Sequence, residues 1–215
     1  MKKVLVINAS ARGQRSQSRK LTEIFTEHWK GKRTETEITN RQLGSADVPH
    51  VNENWIAAAF KPETTRTEDE RKALETSDTY IAELHQADII VLGTPMYNWS
   101  IPSALKAYID QVVRVNETFR IDATNIQYPY IGLLENKTLF LLLSRGDQGY
   151  EKGGYNEHMN FQDPYLKTVF NIMGIHHIHV IAINGISYGP EKAQKSIELS
   201  HQELKDLIDL ELKQQ

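Results

Sequence analysis

The sequence predicts an α/β fold: one five-stranded parallel sheet in the order 2-1-3-4-5, with helices on both faces. Three observations carry this. The runs Val4 to Ile7, Asp88 to Leu92 and Thr138 to Ser144 are rich in branched apolar residues without polar alternation, as in strands covered on both faces. Segments with helical periodicity separate them, and β-α alternation implies a parallel sheet. Polar or aromatic loops follow the strands, at the sheet edge where such folds bind ligands.

The elements follow in order. Val4 to Ile7 is the first, central strand, and the small, polar, basic stretch from Asn8 to Ser18 is a loop. Leu21, Ile24, Phe25, His28 and Trp29 form a helical stripe that Gly31 ends. Glu35 to Arg41 alternates and is polar, as at a sheet edge. Asn54 to Phe60 is a short helix around Trp55, broken by Lys61-Pro62, and Glu68 to Gln86 is a longer one. The strand from Asp88 breaks at Gly93 and Pro95, and Met96, Tyr97, Asn98 and Trp99 form the loop after it. Pro102 suits the first turn of a helix carrying Leu105, Tyr108, Ile109, Val112 and Val113. Asn116 to Glu135, with Phe119, Tyr128 and Tyr130, is a long connection of the kind that serves function or meets a partner. Thr138 to Ser144 leads into Arg145-Gly146-Asp147. Pro164 opens a helix closed by Gly174, His176 to Ala182 is the last strand, and Glu191 to Leu212 the last helix. This is the flavodoxin-like three-layer arrangement, whose switch point lies between the first and third strands. The loops after the first, third and fourth strands therefore gather at one rim.

Composition bounds the rest. The 215 residues fit a single domain over 1–215. A net charge of -3 without long single-sign runs points away from nucleic acid and anionic membranes. The absence of cysteine excludes disulfides, a thiol nucleophile and thiolate metal sites. The apolar run after Met1-Lys2-Lys3 ends at Asn8, too early for a signal peptide, and no stretch is long enough to span a bilayer. These features fit a soluble, cytoplasmic protein.

Ser10 and Ser16-Gln17-Ser18 place hydroxyls just before a helix, where free amides and the dipole attract phosphate; Arg12, Arg15 and Arg19 add positive charge. Ordinary capping by Ser16 or Ser18 reads the same residues differently. Neither G-x-G-x-x-G nor G-x-x-x-x-G-K-[ST] occurs, which argues against dinucleotide and P-loop sites. The Met96 to Trp99 loop offers flat faces and backbone donors, and the third loop offers Ser144, Arg145 and glycines. A ligand with a phosphate at one end and a planar heterocycle at the other, such as flavin mononucleotide (FMN), fits this layout.

With these pieces in order, the chain resembles the FMN-dependent NADH-azoreductases, also described as FMN-dependent NADH:quinone oxidoreductases. The resemblance rests on Lys3-Val4-Leu5-Val6 with Ser10, Ser16-Gln17-Ser18, Pro95-Met96-Tyr97-Asn98, Thr118-Phe119-Arg120, Ser144-Arg145-Gly146, Pro164-Tyr165-Leu166 and Gly185-Ile186-Ser187-Tyr188-Gly189-Pro190-Glu191. It implies a homodimer with one non-covalent FMN per subunit. It further implies two-electron reduction of quinones and azo compounds with NADH or NADPH as donor. Because helix and sheet would cover one flavin face, donor and acceptor would share the other in a ping-pong order. Carried over by position, Ser10, Ser16, Gln17 and Ser18 hold the phosphate. Met96, Tyr97, Asn98 and Trp99, led in by Pro95, lie along the isoalloxazine with the Asn98 amide towards N5. Ser144, Arg145, Gly146 and Asp147 meet its pyrimidine side. Trp99 stands where the family often has Phe, and Asp147 where a second Gly is common. No side-chain acid or base is required, because the cofactor carries the chemistry.

His176, His177 and His179 resemble a metal cluster. On a strand, however, His177 and His179 share a face that His176 does not, and no carboxylate adjoins them in sequence. No metal is expected. His158 reads as a solvated loop residue. The other class this fold serves is a flavin-binding electron carrier or regulatory subunit, which NADH would not reduce.

Overall fold

The computed structural model describes residues 1–214. In chain order its elements are β1 (Lys2–Asn8), α1 (Gln17–Lys32), β2 (Thr36–Gln42), α2 (Glu53–Ala59), α3 (Glu68–Gln86), β3 (Ile89–Pro95), α4 (Ser103–Val112), β4 (Phe119–Ile121), β5 (Tyr130–Gly132), β6 (Thr138–Ser144), α5 (Asp163–Ile172), β7 (His177–Ile183) and α6 (Pro190–Gln214). β2, β1, β3, β6 and β7 form one sheet in that order, every neighbouring pair parallel. This is the 2-1-3-4-5 order, because β4 and β5 pair only with each other.

Alternate residues of each strand face opposite sides, so unbroken apolar runs build two cores. Leu5, Ile7, Ile90, Leu92, Leu139 and Leu141 pack under α3, α4 and α5. Val4, Val6, Ile89, Val91, Phe140 and Leu142 pack under α1 and α6. Every residue of β3 and β6 is buried, whereas the edge strands β2 and β7 keep solvent contact. Among the described residues, no helix is long and apolar enough to cross a membrane.

Three local differences from the sequence reading have physical causes. β3 does not break at Gly93 but runs on to Pro95. A Cβ on Gly93 would stand 2.5 Å from Thr22 Cγ2 and 2.9 Å from the Ser18 carbonyl oxygen. The glycine therefore admits the first turn of α1 against the strand and makes no turn of its own. The segment 116–135 holds an antiparallel hairpin, its two strands of three residues each too short to show alternation. Phe119 is buried there, edge-on to Tyr130 at 5.8 Å, while Ile121, Ile126, Tyr128 and Tyr130 are exposed. α1 passes through Gly31 and stops at Arg33, whose amide bonds the Trp29 carbonyl.

Candidate active site

The loop after β1 ends in Ser16, the N-cap of α1. Its Oγ accepts the Arg19 amide at 3.2 Å and lies 3.2 Å from Ser18 Oγ. The amides of Gln17 and Ser18, at the head of the helix, have no intrahelical acceptor. Capping and anion binding are thus two properties of one turn, since the cap hydroxyl takes one amide and leaves the others for a ligand. No acidic residue stands in this first turn. Ser10 is buried, its Oγ accepting the Arg12 amide at 3.2 Å. Gln17 Oε1 is buried without a hydrogen-bond partner among the described residues. Arg19 does not line the cleft: its Nη1 donates at 2.5 Å to Oε1 of Gln42, the last residue of β2.

The loop after β3 is a tight turn. Tyr97 and Ser100 exchange two backbone hydrogen bonds of 3.0 Å, with Asn98 at φ 47° and Trp99 at φ 64°. Two central residues with positive φ make a type I′ turn, which asparagine tolerates and a bulky residue enters only with strain. The amides of Asn98 and Trp99 lie outside the two bonds of the turn. The Trp99 carbonyl accepts the Phe161 amide at 3.0 Å, and Ser100 Oγ donates to the Phe161 carbonyl at 3.2 Å. Both aromatic rings, Trp99 and Phe161, are exposed.

The loop after β6 is tied at both sides. Arg145 is buried; its Nε donates to Gln162 Oε1 at 2.9 Å and its Nη2 to Asp163 Oδ1 at 2.7 Å, locking the loop to the head of α5. Burial pushes the Asp163 carboxyl up, but hydrogen bonds from Lys167 and Asn160 and the charge of Arg145 outweigh it and hold the group below its ordinary value. The Asp147 carboxylate accepts from the Gln148 amide at 2.7 Å, from Asn156 Nδ2 at 3.3 Å and from the Tyr188 hydroxyl. The Tyr188 bond is the main cause that lowers Asp147, and the same bond raises the phenol of Tyr188.

These loops enclose a cleft of about 450 Å³ at the carboxyl ends of the strands. Ser10, Arg12, Arg15, Ser16 and Gln17 line one end, Pro95, Met96 and Tyr97 the middle, and Ser144, Arg145 and Gly146 the other side. Of the residues read from sequence, Ser18 lies beneath the wall, while Asn98, Trp99 and Asp147 lie off it. His158 is exposed on a short 3₁₀ turn and does not line the cleft. Ile186 and Ser187, after β7, complete the wall. The sequence had offered them as part of the Gly185 to Glu191 match, without a place at the site. Gly146 belongs to this corner, since a Cβ there would stand 2.9 Å from Ser187 Oγ.

Comparison with known proteins agrees with this fold. A family model described as flavodoxin-like fold matches residues 2–208. The FMN-dependent NADH:quinone oxidoreductase 1 of Trichormus variabilis is 39% identical over 207 residues, covering 96% of this chain and 95% of that one. The FMN-dependent NAD(P)H:quinone oxidoreductase 1 of Pseudomonas aeruginosa is 38% identical, covering 95% and 97%. Among solved structures, an azoreductase from Bacillus anthracis superposes with a TM-score of 0.87 at 27% identity, covering 97% of this chain and 99% of that one. The chain belongs to the family of FMN-dependent NADH:quinone oxidoreductases, enzymes on a flavodoxin-like fold.

Proposed function

We propose that the chain, working as one domain, holds a single non-covalent FMN in this cleft. With NADH or NADPH as donor, it reduces quinones by two electrons and cleaves aromatic azo compounds to amines. The observation that carries this reading is the grading of the cleft. A helix head with two arginines lies at one end, the apolar and aromatic side chains of Pro95, Met96 and Tyr97 lie in the middle, and the Ser144 to Gly146 loop lies on the other side. The free amides of the first turn, with Arg12 and Arg15, suit a phosphate dianion. The partnerless Gln17 Oε1 suits a hydroxyl of the ribityl chain. Gly146 leaves the corner by Ser187 open to a flat edge. The names of the relatives give the same cofactor and donor.

When bound, FMN supplies the capacity to accept a hydride and pass it on. The chain supplies position: the Ser16 turn would hold the phosphate end, Met96 and Tyr97 would flank the ring, and the Asn98 amide, just beyond the lining, would reach towards N5. Ser144, Arg145 and Gly146 would border the pyrimidine edge, Arg145 through its backbone because its guanidinium is engaged by Gln162 and Asp163, with Asp147 supporting the loop from behind. The sheet edge closes one side of the cleft, so donor and acceptor occupy the open side in turn, a ping-pong order. Protons come from water. The enzyme acts in the cytoplasm as a homodimer, in which the exposed β4–β5 hairpin reaches a two-fold partner and helps wall its cleft.

Denaturing the purified protein and chromatographing the released flavin tests the cofactor. FMN at one per chain is expected; FAD, or no flavin after incubation with FMN, overturns the reading.

A further inference from the structure

The histidines near residue 176 acquire in the fold the carboxylate that they lack in sequence. His177 and His179 lie on the edge strand β7, opposite Thr138 and Phe140 of β6 and on the same face as those residues. α6 covers that face with Leu204 and Ile208 fully buried. One turn further along the same stripe, where an apolar residue would continue the core, stands Glu211, 4% exposed. Its Oε2 lies 3.1 Å from His179 Nε2 and 3.7 Å from His177 Nε2. Its Oε1 accepts from Thr138 Oγ1 at 3.2 Å, and the same hydroxyl lies 3.3 Å from His177 Nδ1. The three ligating atoms all lie within 4.8 Å of one another.

We propose that His177, His179 and Glu211 form a site for a divalent first-row transition metal, zinc by preference, at one ion per chain. Two imidazole nitrogens and a carboxylate oxygen are the donor set such ions favour. Bonds of roughly 2.0–2.1 Å in a tetrahedron set neighbouring donors roughly 3.4 Å apart. The carboxylate–imidazole separations of 3.1 and 3.7 Å bracket that spacing, and the full set spans no more than 4.8 Å, so rotation of the imidazoles about their side-chain bonds closes the set on an ion. Thr138 orders the surroundings: its hydroxyl can accept from His177 Nδ1 and donate to Glu211, which fixes the tautomer that turns His177 Nε2 towards the ion. His177 is half exposed, which gives the ion an entry path and leaves a fourth position for water. The site lies at the amino end of β7, at the opposite end of the sheet from the cleft, so the ion clamps the edge strand to the end of α6 and takes no part in electron transfer.

The test uses FMN-loaded protein treated with a chelator, then dialysed against graded zinc, with bound metal measured by elemental analysis. The wild type should bind one zinc per chain and melt at a higher temperature with zinc than without. His177→Gln with His179→Gln, and separately the near-isosteric Glu211→Gln, should each weaken binding by at least about tenfold and lose the zinc-dependent rise in melting temperature. His50→Gln, an exposed histidine elsewhere, should bind like the wild type. A wild type without stoichiometric zinc would show the cluster to be a metal-free set of histidine–carboxylate hydrogen bonds, and zinc retained by the double variant would place the ion elsewhere. Either result overturns the proposal.

Discussion

The Asp147 carboxylate accepts the phenolic hydrogen of Tyr188, 41 residues away in sequence, and so joins the loop after β6 to the loop after β7. Backbone bonds run beside it: the Gly185 amide to the Asp147 carbonyl and the Ser187 amide to the Gly146 carbonyl, both at 2.9 Å. Asp147 thus pins the fourth wall of the cleft from behind. Tyr188→Phe should leave the fold intact and weaken FMN binding several-fold, measured by flavin fluorescence quenching. Because the bond raises the phenol, the spectral difference between wild type and variant should show no tyrosine ionisation until pH is well above about 10. Equal FMN affinity in the two proteins would mean that this wall does not bear on the cofactor.

At the other end of the cleft, Ser16 caps α1 and faces the proposed phosphate. Ser16→Asp separates these roles, since aspartate caps as well as serine while its charge repels a dianion. The variant should keep its thermal midpoint and lose FMN affinity. Ser16→Ala with Ser18→Ala should lose roughly 1.5–3 kcal/mol of FMN binding for each hydrogen bond to a charged group. Isothermal titration with FMN measures both. Full affinity in Ser16→Asp would remove the phosphate from this turn.

Trp99 holds φ 64° in the turn after β3 with its ring in solvent. Trp99→Gly creates Asn-Gly, the pair that a type I′ turn favours. Chemical denaturation should find the variant more stable by about 1 kcal/mol, while quinone turnover falls because an aromatic face at the mouth is gone. Loss of both stability and turnover would show that the tryptophan is packed for the fold.

Asp163 is held below its ordinary value, so the sign of its pH effect is fixed. A lowered folded-state pKa contributes stability that is complete above the unfolded value of about 3.9. That stability is lost as pH falls through the lowered folded value. Asp163→Asn should cost roughly 3 kcal/mol at neutral pH, because Arg145 is left buried without its charged partner. The gap to wild type should narrow below about pH 4. Urea unfolding at both pH values gives the comparison; a gap independent of pH would assign the loss to packing.

The β4–β5 hairpin carries Tyr128 and Tyr130 into solvent. Replacing both with Ser should loosen the proposed dimer and lower turnover together, read by sedimentation and quinone reduction at matched flavin content. A fully dimeric, fully active variant would remove the hairpin from the shared wall.

The strands buried on both faces were legible because burial leaves no polar residue to disguise them; Thr138 to Ser144 and the helix from Glu68 to Gln86 have the bounds read from sequence. Gly93 misled because a glycine for close approach and a glycine for a turn look alike in one dimension. Ser10, Ser16, Gln17, Met96, Tyr97 and Gly146 meet at the cleft because each follows a strand of known place in the order. The engagement of Arg145 with Asp163, and of Glu211 with His179, is set by tertiary packing between segments far apart in the chain, which no local pattern encodes.

The central claim is that one cleft accepts electrons from NADH and delivers them to a quinone. An anaerobic titration of the flavin-loaded protein, followed by its visible absorbance, tests this most directly. One equivalent of NADH per bound flavin should bleach the colour, and one equivalent of quinone, added after the oxidised nicotinamide has been removed, should restore it. Flavin that NADH leaves coloured, or bleached flavin that quinone cannot recolour, would contradict the account.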